Sequence, residues 1–216
     1  EQKAASKTIA NNINATVNAA AIKNVTVKNK ELTLEFASLG GQLSSVEINQ
    51  YKAYNAKTDK HDLPLYLIEK NNSSYGFQFK DKTGKTFNTK DLVFVPSVKD
   101  NTVTMTAQVS GATIQYVYQL LDNYTLDFNV KTQGLSSIVT DEKADFHWNY
   151  TVRGMEKGRS QEQTHSEFNY AFDNYGSTDY DTNGFEEPEE TLNWLAVKQQ
   201  FFASIIESTN VFTQTK

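Results

Sequence analysis

Residues Thr102–Leu120 read TVTMTAQVSGATIQYVYQL, and their apolar positions recur at every second residue. Val103, Met105, Ala107 and Val109 alternate with Thr and Gln. Ser110-Gly111 then gives a turn signal, and Ile114, Tyr116, Tyr118 and Leu120 resume the alternation. A period of two sends successive side chains to opposite faces, so each run is a strand with one buried face.

The same period recurs on both sides of this stretch. Upstream, Leu32, Leu34 and Phe36 alternate with Thr33 and Glu35, and Tyr75, Phe77 and Phe79 follow suit. Downstream, Leu126, Phe128 and Val130 come after the Asp122-Asn123 turn, and then Phe146, Trp148, Tyr150 and Val152. Polar clusters such as Asp81–Gly84 and Lys99–Thr102 separate the runs. Many alternating strands at short spacing, with only three prolines, predict an all-β chain built as one large antiparallel sandwich. No fixed-length repeat is present, which argues against a propeller or solenoid.

Composition narrows the function classes. At 216 residues a single core needs no covalent staple. The absence of cysteine removes disulfides, thiolate metal sites and a cysteine nucleophile together. A net charge of −5, with both signs mixed along the chain, argues against nucleic-acid binding. No apolar run approaches the roughly 20 residues that cross a bilayer. From its Glu1-Gln2-Lys3 start the chain is expected to have no signal peptide of its own and to be an excised or processed segment.

Two segments depart from the pattern. Residues 1–23 are rich in Ala, Asn, Ser and Thr without an aromatic, and are expected to be a solvated linker, with a short helix over Ile9–Ile22 as the alternative. The domain proper is expected over 24–216. Residues 153–192 carry four glycines, and nine acidic residues fall between Arg159 and Lys198 with no basic one. They are expected to be acidic connecting loops with one short helix near Glu167–Asn174.

Candidate chemistry is sparse. His61, His147 and His165 supply residue types for a triad, but none has a nucleophile-elbow frame, and three scattered histidines do not make a zinc site. His147, between Phe146 and Trp148, is expected on the polar face of its strand. No catalytic residue, cofactor or principal metal site is assigned. Asp179, Asp181, Asn183 and Glu190 match the spacing of a calcium loop, with Gly184 at the turn. Glu186 and Pro188 fit that loop poorly, and an acidic surface loop is the preferred reading. Gly40-Gly41 lacks the residues of a phosphate-cradling loop and is read as a structural turn between two strands.

Two blocks carry a family resemblance. Leu32–Ile48 reads LTLEFASLGGQLSSVEI, and Trp194–Ser204 reads WLAVKQQFFAS. Together they resemble the periplasmic domain of the YidC membrane-insertase family, from about Asn24 to about Phe212. The Val152-Arg153-Gly154 to Arg159 stretch is similar to the Bacteroidetes branch. The resemblance implies a β-supersandwich of mutarotase-like architecture on the periplasmic face of the bacterial inner membrane. It further implies anchoring through helices outside this chain, and a non-catalytic role in inserting and folding inner-membrane proteins, alone or with the Sec translocon. The implied partners are nascent membrane proteins and Sec components. Trp194, Phe201 and Phe202 are expected to pack in the core or between domains, with Lys198 and Gln200 facing partners or capping backbone. The competing reading is a carbohydrate-binding or sugar-epimerising sandwich, which shared architecture permits but does not establish.

Overall fold

Each of the six alternating runs forms a strand in the computed structural model, which describes residues 23–141, 143–172, 177–180 and 191–212. In chain order the strands are β1 (Val25–Lys28), β2 (Leu32–Ala37), β3 (Gln42–Asn55), β4 (Lys60–Ile68), β5 (Ser73–Lys80), β6 (Thr86–Asn88), β7 (Val95–Lys99) and β8 (Thr102–Val109). They continue with β9 (Ala112–Leu120), β10 (Leu126–Gln133), β11 (Asp145–Tyr150), β12 (Glu167–Phe172), β13 (Ser177–Tyr180), β14 (Leu192–Lys198) and β15 (Ala203–Phe212). Among the described residues one α-helix, α1 (Arg159–Thr164), precedes β12. The described strands form four sheets, ordered β1-β2-β3-β4, β10-β9-β8-β7, β11-β5-β6 and β13-β12-β14-β15. The all-β sandwich expectation holds.

The chain divides into two compact units. One holds the described residues up to Lys52 together with Pro64–Thr151, and the other holds Ala53–Leu63 together with the described residues from Val152 onward. The expected linker and its alternative helix lie, Lys23 apart, outside the described residues.

In the first unit, β8 and β9 form a hairpin closed by Ser110 and Gly111, both at positive φ. This is the backbone a two-residue turn needs to match strand twist. Alternation buries Val103, Met105, Ile114, Tyr116 and Tyr118 on one face. Across from them lie Leu32, Leu34 and Phe36 of β2, and the Phe36 and Tyr118 rings are 4.6 Å apart. Phe94 stacks on Tyr116 at 4.7 Å and Phe128 on Tyr118 at 4.7 Å, while Phe77 meets Tyr116 edge-on at 6.0 Å. Each such ring contributes about 1.5–3 kcal/mol through burial alone.

The two tyrosines also order the turns. The Tyr118 hydroxyl donates to the Gly41 carbonyl at 2.9 Å. That spends its only proton, so the Tyr75 hydroxyl, 2.9 Å away, donates to Tyr118 and accepts the Leu43 N–H at 3.0 Å. Tyr116 donates to Thr89 Oγ1 at 2.6 Å, and the same oxygen accepts the Phe77 N–H at 2.7 Å. Burial pushes the Tyr75 phenol up to about 12 and raises Tyr116 and Tyr118 further above the usual range.

Gly40 and Gly41 have φ of +76° and +61°, and a Cβ on Gly41 would stand 2.7 Å from the Phe94 ring. The turn is therefore bound both to glycine and to Tyr118. A second tie joins the turn before β2 to the turn after β9, where the Asn29 side-chain amide donates to the carbonyls of Leu121 and Asn123.

The sequence reading missed three things here. β11 stops at Tyr150, short of Val152. The helix expected near Glu167–Asn174 is replaced over Glu167–Phe172 by β12, because Phe168 and Tyr170 follow the strand period and β14 offers a partner. Residues 153–192 are therefore more than connecting loops, since they hold α1, β12 and β13.

Tyr118→Phe keeps the ring but takes the side-chain donor from the Gly41 carbonyl and the acceptor from the Tyr75 hydroxyl proton, which leaves Tyr75 only the Leu43 N–H. A loss of about 1–3 kcal/mol is expected in chemical denaturation. Gly41→Ala should cost at least as much; values within about 0.5 kcal/mol of the parent for both would remove the turn from the core's support.

Candidate functional site

The Trp194–Ser204 block forms β14, a tight turn and the first residues of β15. The Gln199 N–H donates to the Phe202 carbonyl at 2.7 Å and closes the turn, leaving Gln200 and Phe201 at its tip. Gln199, which the sequence reading passed over, is 3% exposed, and its amide donates to the Arg153 carbonyl at 2.8 Å. Phe201 is 64% exposed. Of its two expected placements, in the core or between domains, it does not take the core, because it belongs to a turn and has no strand face to bury. Trp194, Gln200 and Phe202 are half-buried. Lys198 reaches Glu167 on the neighbouring strand at 2.8 Å, and that hydrogen bond holds the Glu167 carboxyl below the usual range.

β15 is the edge of its sheet among the described strands. Ile205, 63% exposed, shares with Phe201 the apolar part of that edge. The alternation of Ala203, Ile205 and Glu207 is the signal that would have located it in the sequence.

Behind the turn, the Arg153–Thr164 segment folds on itself. Glu162 is buried, and its carboxylate accepts the Met155 N–H at 2.6 Å and faces Arg159 at 3.4 Å. Gly154 leaves the space that the Arg159 side chain fills. The hairpin tip between β3 and β4 adds an exposed polar cluster. There His61 meets Glu156 at 2.9 Å, and Asp59 takes hydrogen bonds from Lys157 and Tyr54, which hold its carboxyl low.

Reactive geometry does not emerge among the described residues. No group of three or more potential ligands gathers to hold a metal ion. The carboxyls of Asp59, Asp62, Asp81 and Glu167 all shift downward, through hydrogen bonds to the charged form, whereas a general acid needs the opposite. His61 and His165 lie in exposed segments of the second unit, with Glu156 and the Gln161 carbonyl as their partners. His147 lies in the first unit, exposed on the polar face of β11 as expected. Of the calcium-loop residues, Asp179 falls in β13, paired with Asn169. Asp181, Asn183 and Glu190 lie outside the described residues.

A family model, that of the YidC periplasmic domain, matches residues 24–214. The chain belongs to this family. Membrane protein insertase YidC of Phocaeicola vulgatus is 30% identical over 190 residues, covering 84% of this chain and 29% of that protein. The protein of the same description from Porphyromonas gingivalis is 28% identical over 213 residues, covering 94% of this chain and 32% of its own length. A third, from Parabacteroides distasonis, is 27% identical over 199 residues, 88% of this chain and 30% of the relative. The chain thus spans 29–32% of the length of these relatives. No solved structure matches significantly. Among the described residues no helix is long and apolar enough to cross a membrane.

Within the family's hairpin block, support and exposure fall on different residues. Gln199→Ala is expected to lose about 1–2 kcal/mol by removing the side-chain hydrogen bond to the Arg153 carbonyl, whereas Phe201→Ser should stay within about 0.5 kcal/mol. Equal losses in urea denaturation would contradict this assignment.

Proposed function

We propose that residues 24–216 are the non-catalytic periplasmic domain of a membrane protein insertase, with residues 1–23 as a leading linker. Helices outside this chain hold it at the periplasmic face of the inner membrane. It assists the insertion and folding of inner-membrane proteins, alone or with the Sec translocon. The family match over 24–214 is the observation that carries this reading, and the names of the relatives agree with it.

The physical route is contact without turnover. An edge strand offers unpaired backbone donors and acceptors to an extended segment, and adjacent apolar side chains add affinity. β15 with Phe201 and Ile205 has that character, and Trp194, Lys198, Gln200 and Phe202 complete its surroundings. Sugar chemistry has no comparable support, because it needs two carboxyls across a cleft with one held protonated.

The reading is tested in the parent protein. Removing residues 24–214 in frame, or replacing Phe201 and Ile205 by Ser and Lys, should lower the membrane integration of newly made proteins several-fold. The isolated double variant should keep its melting temperature. Undiminished integration in both parents would refute the assisting role. A sugar panel should leave the melting temperature unmoved, whereas a ligand at 100 times its dissociation constant would add about 2.7 kcal/mol.

A further inference from the structure

We propose that a polar hollow on the outer face of β5 and β11 binds a phosphate-type oxyanion. Its floor is Gly76, buried in the middle of β5 and paired with His147 of β11. A Cβ on Gly76 would stand 2.8 Å from Asn88 Oδ1, 3.0 Å from the Lys90 nitrogen and 3.0 Å from Thr89 Oγ1. The missing side chain is therefore what lets the short 3₁₀ turn Thr89–Asp91 close over the strand. It also leaves an opening between His147 on one side and Lys90 on the other. Register sets Gln78 beside Asn88 at one end and Ser74 beside Asn149 at the other. The hollow holds about 290 Å³, room for an oxyanion and several waters at about 30 Å³ each.

The lining decides the ligand's charge. Lys90 and His147 are the residues of its lining that can carry positive charge, and the others bring amide and hydroxyl groups. No carboxylate lines it, although Asp91 lies 2.9 Å from the Lys90 ammonium and Asp145 pairs with Gln78 at the rim. An anion must therefore compete with Asp91 for Lys90. The His147 imidazole hydrogen-bonds no described residue and is open to an incoming ligand.

A wider cleft adjoins through Gln78, Asn88 and Lys90 and adds Lys82 and Lys85. Its Asp81 stays ionised, one carboxylate oxygen accepting the Thr83 N–H, the Thr83 hydroxyl and the Lys85 N–H, and its charge interacts with Lys85. The smaller hollow itself is lined by no carboxylate, on a chain whose net charge is −5. An ammonium, an imidazole and neutral donors around a small opening favour phosphate oxygens through charge-assisted hydrogen bonds. Inorganic phosphate and an anionic phospholipid headgroup share that chemistry. The inference rests on the first unit's geometry and is independent of the insertase reading.

The test is an amide-resolved NMR titration of the whole chain with inorganic phosphate, with sodium chloride of equal ionic strength as reference. Gly76, Lys90 and His147 should shift saturably, and Lys90→Gln with His147→Gln should weaken that binding about tenfold or more. Both side chains are exposed, and the unchanged remainder of the spectrum verifies the variant's fold. Sedimentation with equimolar phosphatidylglycerol–phosphatidylcholine vesicles identifies the source. Retention lost in the double variant supports a lipid headgroup, and phosphate binding without vesicle retention supports a free oxyanion. Absence of saturable shifts at Gly76 and Lys90 together with no variant-sensitive vesicle retention would overturn the proposal. So would responses to phosphate and vesicles that are equal in chloride or in the double variant.

Discussion

A hydroxyl carried into an apolar core must meet a partner or cost about 1–3 kcal/mol, and the hydroxyls of Tyr116 and Tyr118 set the first unit's turns through that requirement. Tyr118 holds the Gly41 carbonyl and Tyr116 holds Thr89. Two side chains on the same face of β9 thereby fix the connection from β2 to β3 and the 3₁₀ turn after β6. The rings fill the space between sheets while the hydroxyls set which loop packs where. Phe94, stacked on Tyr116 and pressed against Gly41, joins the two roles.

That division of labour leaves the surfaces free for contact. Carboxyls that depart from ordinary values are held ionised by close donors, and the three histidines are spread over separate places. The second unit follows the same logic with other groups. Buried Gln199 and Glu162 hold backbone in place, and Phe201 and Ile205 face solvent beside them. In one hairpin, neighbouring residues thus carry support and exposure respectively.

Much of this was legible in the sequence, and what was missed has physical reasons. Period two located β2, β5, β8, β9, β10 and β11; β2, β8 and β9 bury the apolar face it marks, whereas β10 and β11 leave theirs at most half-buried, with Val130 37% exposed. β12 was hidden by the acidic loops around it, although Phe168 and Tyr170 carried the period. Phe201 stays out of the core because hydrophobicity leads to burial only where an element gives the side chain a face. Gln199 and Gln200 are adjacent and chemically identical, so nothing local tells which one turns inward; the Arg153 carbonyl, distant in sequence, decides it. Gly76 was readable in principle, since a glycine between Tyr75 and Phe77 in a strand marks close backbone approach.

The most direct test of the tyrosine arrangement is an alkaline titration followed by tyrosinate absorbance and near-ultraviolet circular dichroism together. Tyr75, Tyr116 and Tyr118 hold their protons more tightly folded than unfolded. Their contribution to stability is therefore complete below about pH 10, the ordinary phenol value, and is lost as pH climbs above it, through about 12 for Tyr75 and higher for the other two. The expected result is an intact dichroism at pH 10 with these three phenols still protonated. They should ionise only as the dichroism collapses. Ionisation of every tyrosine near pH 10 with the dichroism unchanged would contradict the account.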